Sequence, residues 1–145
     1  MALVRSHGKV KNVTDKIMLG YDDIYSIQYF GTNLRPYWNS KGDRTIEAEM
    51  LAAYNEYDKL LARCYAFDKK LMEDASAAGG KEYAELCALA YRQSIAAHKL
   101  VEAPNGDLLW LSKENNSNGC INTVDLTYPS APLYLIYNPE LEKGM

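Results

Sequence analysis

The stretch TIEAEMLAAYNEYDKLLARCYAFDKKLMEDASAAGGKEYAELCALAYRQSIAAHK, Thr45 to Lys99, decides the character of this chain. Apolar side chains recur at Ile46, Met50, Ala53 or Tyr54, Tyr57, Leu60 or Leu61, Cys64, Phe67 and Leu71, a helical period held for about seven turns. Thr45 stands where an N-cap belongs, and Glu47 and Glu49 set negative charge against the positive end of the helix dipole. A bend near Arg63 fits the pattern. Gly79 and Gly80 close the helix as a glycine C-cap would. A second period, through Tyr83, Leu86, Cys87, Ala90, Tyr91 and Ile95, predicts another helix from about Lys81 to Lys99. So short a connection makes the two helices antiparallel neighbours, and the alanines at 84, 88, 90, 96 and 97 let a partner approach closely. His98 falls near the C-terminus of the second helix, where an imidazolium is favoured, and reads first as a structural histidine.

Upstream, residues 1–12 lack periodicity and form a lead-in segment. From Thr14 the chain offers helical spacing at Ile17, Tyr21, Ile24 and Tyr25, yet YSIQYF, GTN and LRPYW have the aromatic richness of strands about a turn. A hairpin over Tyr25 to Trp38 is favoured, with Pro36 on an edge where its missing N–H costs nothing. NSKGDR, Asn39 to Arg44, breaks the chain before the long helix. Downstream, Leu100 and Val101, a turn at Pro104 to Asp107 and the run Leu108 to Leu111 predict a second hairpin. The closing segment TVDLTYPSAPLYLIYNPE predicts a helix from about Ser130, with Asp125 or Thr127 as cap and Leu126, Leu133, Leu135 and Ile136 as core candidates. LEKGM carries no stop signal, so the chain reads as a piece of something longer.

The 145 residues suit one domain, mainly helical with short β-hairpins. The net charge of -3 comes from scattered rather than clustered charges, which disfavours nucleic acid as a partner. No apolar run approaches the roughly 18 residues of a membrane span, and the N-terminus is not a signal peptide. Twelve tyrosines against two phenylalanines place many rings that need a wet or hydrogen-bonded tip. The three cysteines have no CxxC pair. Cys64 and Cys87 are expected to be buried, and Cys120 is the one candidate thiol, without a histidine near it in sequence.

Chemistry concentrates after Leu111, in SKENNSNGCINTVDLTYPSAP. Glu114 is the best placed carboxylate and Asp125 its natural second. Lys113, Asn115, Asn118 and Tyr128 are placed to orient a substrate. Set against this, Glu114 could pair with a base, and Asp125 is a good helix cap. Asp22 and Asp23 form a second acidic cluster, of which one member can address a site. Arg35 fits either a carboxylate clamp or a pairing with Asp22 or Asp23, and the pairing is preferred. Ser112 and Ser117 are weak nucleophile candidates, with no histidine adjacent as base. No HExxH, P-loop, dinucleotide fingerprint or serine-hydrolase order occurs, and no metal or cofactor is implied.

The strings YDDIYSIQYFGTNLRPYW, ALAYRQSIAAHKLV and LLWLSKENNSNGCINTVDLTYPSAPLYLIYNPEL closely resemble the central domain of the glutaminase A-like family, found in fungi and in bacteria such as Bacteroides. The resemblance runs from about Val13 onwards. It implies antiparallel helix pairs forming part of an (α/α)6 six-hairpin toroid, secreted or cell-surface location, and hydrolysis of glutamine to glutamate and ammonia. It also implies neighbouring domains as partners, glutamine or a glycoside as small-molecule substrate, and a cleft of which this piece is one part, inactive alone. A six-hairpin glycoside hydrolase with paired carboxylates and a non-catalytic helical module that self-associates are the alternatives.

Overall fold

The computed structural model describes residues 4–113 and 118–145. Strands β1 (Ile27–Tyr29) and β2 (Thr32–Leu34) form the expected first hairpin, antiparallel with Ile27 opposite Leu34. Phe30 and Gly31 turn it with φ of 44° and 82°, the left-handed pair that matches the twist of two strands. Glycine adopts this freely; phenylalanine does so at a cost. A 3-10 turn, Tyr37–Asn39, leads into the loop before the long helix.

The helical span α1 (Ile46–Ala97) starts where the sequence places it, with the Thr45 hydroxyl accepting from the Ala48 N–H at 3.3 Å. Gly80 alone in the span leaves helical geometry, at φ 83° and ψ -177°, so the break lies there and not near Arg63. The chain doubles back at that point. Phe67 and Tyr91 have ring centroids 5.0 Å apart, whereas an unbroken helix would separate them by about 36 Å. The antiparallel helix pair is therefore present, with a single glycine as its hinge.

The second helical arm ends at Ala97, short of the expected Lys99, and His98 opens a strand instead. Strand β3 (His98–Glu102) pairs antiparallel with β4 (Leu108–Ser112), His98 opposite Ser112 and Glu102 opposite Leu108. Helix α2 (Val124–Tyr137) begins six residues before the expected Ser130, behind Thr123, which makes no side-chain cap bond. Pro129 and Pro132 remove two amide donors from it, and the Ser130 hydroxyl donates to the carbonyls of Leu126 and Thr127 in the same turns. A short helix, α3 (Pro139–Lys143), ends at Gly144, whose carbonyl accepts from the Trp110 N–H at 2.8 Å.

Alternation along β3 and β4 gives that hairpin two faces, and both are covered. On one, Val101 and Leu111 meet Ile27 and Leu34 of the first hairpin, with Tyr29, Leu109 and Ile121 at the rim. Full burial of Val101 contributes on the order of 1.5–3 kcal/mol. Lys99, on this face, reaches Asp23 at 2.8 Å. The other face carries His98, Trp110 and Ser112 towards Tyr134 of α2, which is 1% exposed. Tyr137 then joins Phe67 and Tyr91, with centroids 5.4 and 5.6 Å away, and ties α2 to the helix pair.

Several core expectations are corrected by this packing. Cys64 is exposed and Cys87 half-buried. In α2 the buried side chain is Tyr134, while Leu126, Leu135 and Ile136 face outward. The first arm of α1 likewise shows Leu51, Tyr54 and Tyr65 to the surface. No helix among the described residues is long and apolar enough to cross a membrane.

Candidate functional site

The polar loop after β4 is held at both of its feet. Lys113 bridges to Ile121, its N–H donates to the Ala97 carbonyl, and the Asn122 N–H donates to the Ser112 carbonyl. Asn122 does most of the holding. It sits at φ 53°, its amide donates to the Met145 carbonyl at 2.7 Å, and its side-chain oxygen accepts from the Thr127 hydroxyl at 3.1 Å. Asparagine tolerates that left-handed geometry better than other non-glycine residues and supplies both a donor and an acceptor. One residue thus fixes the loop to β4, to the C-terminal tail and to α2. It is not among the candidate residues named from the sequence, although an Asn between a loop and a helix start is a turn signal in itself.

Of the expected site residues, Glu114 and Asn115 lie outside the described residues, as do Asn116 and Ser117. Lys113 is half-buried at the foot of the loop. The Asn118 side chain accepts from the Cys120 N–H at 2.7 Å, a local turn. Asp125 lies exposed in the first turn of α2, near the positive end of the helix dipole, and Tyr128 is 81% exposed on the same helix. Asp22 and Arg35 belong to the region of the first hairpin, across the β3–β4 pair from α2. The Asp22 carboxylate accepts from the Ile24 N–H, and Arg35 lies over the Tyr25 ring at 5.2 Å. The partner of Asp23 is Lys99 rather than Arg35. Burial works to raise the Asp23 pKa, but the bonds from Lys99 and Ser26 outweigh it and hold the carboxyl below its ordinary value.

On the face of the β3–β4 pair towards α2 lies a cluster that only the strand register reveals. His98 stacks on Trp110 at 5.1 Å and 13°, and its Nδ1 lies 2.7 Å from the Ser94 carbonyl oxygen. A carbonyl can only accept, so Nδ1 carries the proton. Tyr134 completes the group, with its hydroxyl 2.7 Å from Ser94 Oγ and 3.3 Å from His98 Nδ1. Burial lowers the His98 pKa, against a smaller upward pull from the Ser94 carbonyl, so the ring is neutral with a free lone pair on Nε2. Among the described residues, Nε2 has no hydrogen-bond partner, and neither does Ser112 Oγ or Trp110 Nε1. Ser112, which in sequence lacks a histidine nearby, has His98 directly opposite it on the neighbouring strand, with no hydrogen bond between Nε2 and Oγ. Chemically this is a neutral imidazole in the tautomer a general base needs, on the strand opposite a serine, with both residues over nine-tenths buried. Among the described residues no three His, Cys, Asp or Glu side chains gather as a metal site.

Comparison with known proteins adds the lineage. Residues 80–145 match the model of the glutaminase A six helical-hairpin domain, and residues 1–74 match that of a domain of unknown function, DUF5127. Glutaminase A of Aspergillus oryzae is 32% identical over 98% of this chain and 21% of its own length. A protein of Arthroderma benhamiae named "Probable glutaminase" is 31% identical over 74% of this chain and 12% of its own length. The chain thus spans about a fifth or less of these relatives. No solved structure matches. Through its first half the chain belongs to the DUF5127 family, and it is a distant homologue of the glutaminase A family, with residues 80–145 related to that family's six-hairpin domain.

Proposed function

We propose that the chain is part of a glutaminase-like hydrolase and that its 113–122 loop lines one wall of the cleft. The observation that carries this reading is the clamping of that loop, which bears Lys113, Glu114, Asn115 and Asn118, at both feet beside α2. Hydrolysis of a carboxamide needs an acid or base close to the departing ammonia and donors for the carbonyl oxygen. Glu114 takes the first role, with Asp125 as second carboxylate. Lys113, Asn115, Asn118 and Tyr128 orient the substrate, while Asp22 and Arg35 serve a more distant part of the cleft. The apolar side chains that α1 and α2 turn outward, such as Tyr54, Leu135 and Ile136, are covered by further helices of the same ring and by adjoining domains.

Ammonia release from L-glutamine by the whole protein tests the reading. Glu114→Gln is expected to lower kcat by about 10²–10⁴-fold, the usual contribution of a positioned acid or base. Unchanged activity would remove Glu114 from the chemistry, and absence of ammonia release by the parent protein would remove the glutaminase assignment.

A further inference from the structure

A second, unrelated site lies at the other end of the β3–β4 hairpin. The loop between β2 and α1 folds over the last residue of β3 and leaves a cavity of about 260 Å³, whose lining includes Tyr37, Trp38, Lys41, Asp43, Arg44 and Glu102. This loop is built to be rigid. The Asn39 side chain, 6% exposed, reads both backbone groups of Arg44: its oxygen accepts from the Arg44 N–H and its amide donates to the Arg44 carbonyl, each at 3.0 Å. Three backbone bonds, from Asn39, Ser40 and Gly42 to the carbonyls of Pro36, Tyr37 and Asn39, close successive turns. Gly42 has φ 72°, and a side chain there would meet the Arg35 guanidinium at 3.1 Å. A buried asparagine spent on a surface loop fixes the groups that loop displays.

Those groups carry both signs of charge. Lys41 and Glu102 face each other at 2.9 Å, and Arg44 is bonded to Glu49 at 2.9 Å. Asp43 forms no ion pair within 4 Å among the described residues, though its charge also acts on Lys41. The bond with Glu102 raises the Lys41 pKa and the same bond lowers that of Glu102, so both are charged at neutral pH. A ligand of one sign would meet as many like as opposite charges. A ligand with an ammonium and a carboxylate on one carbon can satisfy both, and Tyr37 and Trp38 add aromatic side chains to the lining. The volume lies below the roughly 300–1,000 Å³ of sites for drug-sized ligands, which fits a single small molecule.

We propose that this cavity binds a free zwitterionic α-amino acid. The ligand's carboxylate meets Lys41 and Arg44, its ammonium meets Asp43 and Glu102, and the Lys41–Glu102 pair opens to admit it. The inference stands on the cavity and not on the amide-hydrolysis reading, since binding there requires no reaction.

Titration of the chain with L-glutamine, L-leucine, N-acetyl-L-glutamine and glucose, followed by tryptophan fluorescence and calorimetry, tests it. The two free amino acids are expected to saturate the site, and N-acetylation to weaken binding at least about tenfold by removing the ammonium, a loss of about 1.4 kcal/mol. Lys41→Met, Glu102→Gln and the exposed Asp43→Asn are each expected to weaken binding several-fold with unchanged far-ultraviolet circular dichroism. Saturation by glucose alone, equal binding of the N-acetylated ligand, or binding indifferent to Asp43→Asn would overturn the proposal. So would absence of any saturable signal. Ammonia release plays no part in these outcomes, so they are separate from the fate of the glutaminase reading.

Discussion

His98 stands directly opposite Ser112 across the β3–β4 pair, with Nδ1 committed to the Ser94 carbonyl and Nε2 without a partner among the described residues. In the unfolded chain His98 titrates near its ordinary 6.5, while in the fold burial holds it lower. Below 6.5 the unfolded state therefore binds the proton first, and stability falls as pH drops through that window. Urea unfolding measured across that range should show this slope, and His98→Phe, which keeps the ring stack, should flatten it. An unaltered slope in the variant would assign the dependence elsewhere.

Asp23 gives the opposite end of the pH scale. Its carboxyl is held below 3.8 by Lys99 and Ser26, so its contribution is complete above that value and is lost as pH falls through the lower, folded pKa. Asp23→Asn should cost about 1.5–3 kcal/mol, the usual worth of a hydrogen bond to a charged group, measurable as a shifted denaturation midpoint at pH 7. At strongly acid pH the two proteins should converge.

Gly80 is the hinge of the helix pair, and its φ of 83° with ψ of -177° belongs to glycine. Nothing lies within 4 Å of a side chain added there, so Gly80→Ala isolates the backbone cost, about 1–3 kcal/mol. Gly79→Ala differs in kind, since its Cβ would lie 2.6 Å from the Tyr83 ring. Thermal unfolding of both should show a lowered Tm.

Asn122 separates conformation from bonding. Asn122→Gly keeps the φ of 53° available and loses the bonds to Met145 and Thr127; Asn122→Ala loses both the bonds and the favoured geometry. The alanine variant should therefore be the less stable by about 1 kcal/mol, the cost of a left-handed residue with a Cβ. Equal stabilities would mean that the bonds alone matter.

The parts of this fold that could be read from the chain are those set by local chemistry. Thr45 caps a helix, the glycines at 79 and 80 reverse it, and Asn105–Gly106 sits inside the second turn. Boundaries failed where tertiary contacts overrode local preference. His98 left the helix because β3 gains a full ladder with β4, and α2 began early despite two prolines because Tyr134 is anchored between Ser94, His98 and Trp110. The His98–Ser112 juxtaposition was illegible for a related reason. A one-residue change of register would have turned the two away to the other face, and no sequence signal fixes register that finely.

The two family matches meet between residues 74 and 80, beside the Gly80 reversal. Segments that recombine freely are joined by exposed linkers crossed by few contacts. Here the seam runs through shared cores instead. Phe67 of the first segment rests on Tyr91 and Tyr137 of the second, and Ile27 and Leu34 close over Val101 and Leu111. Severing the chain at the seam would strip apolar cover from both halves, so each depends on the other for the closure of its core.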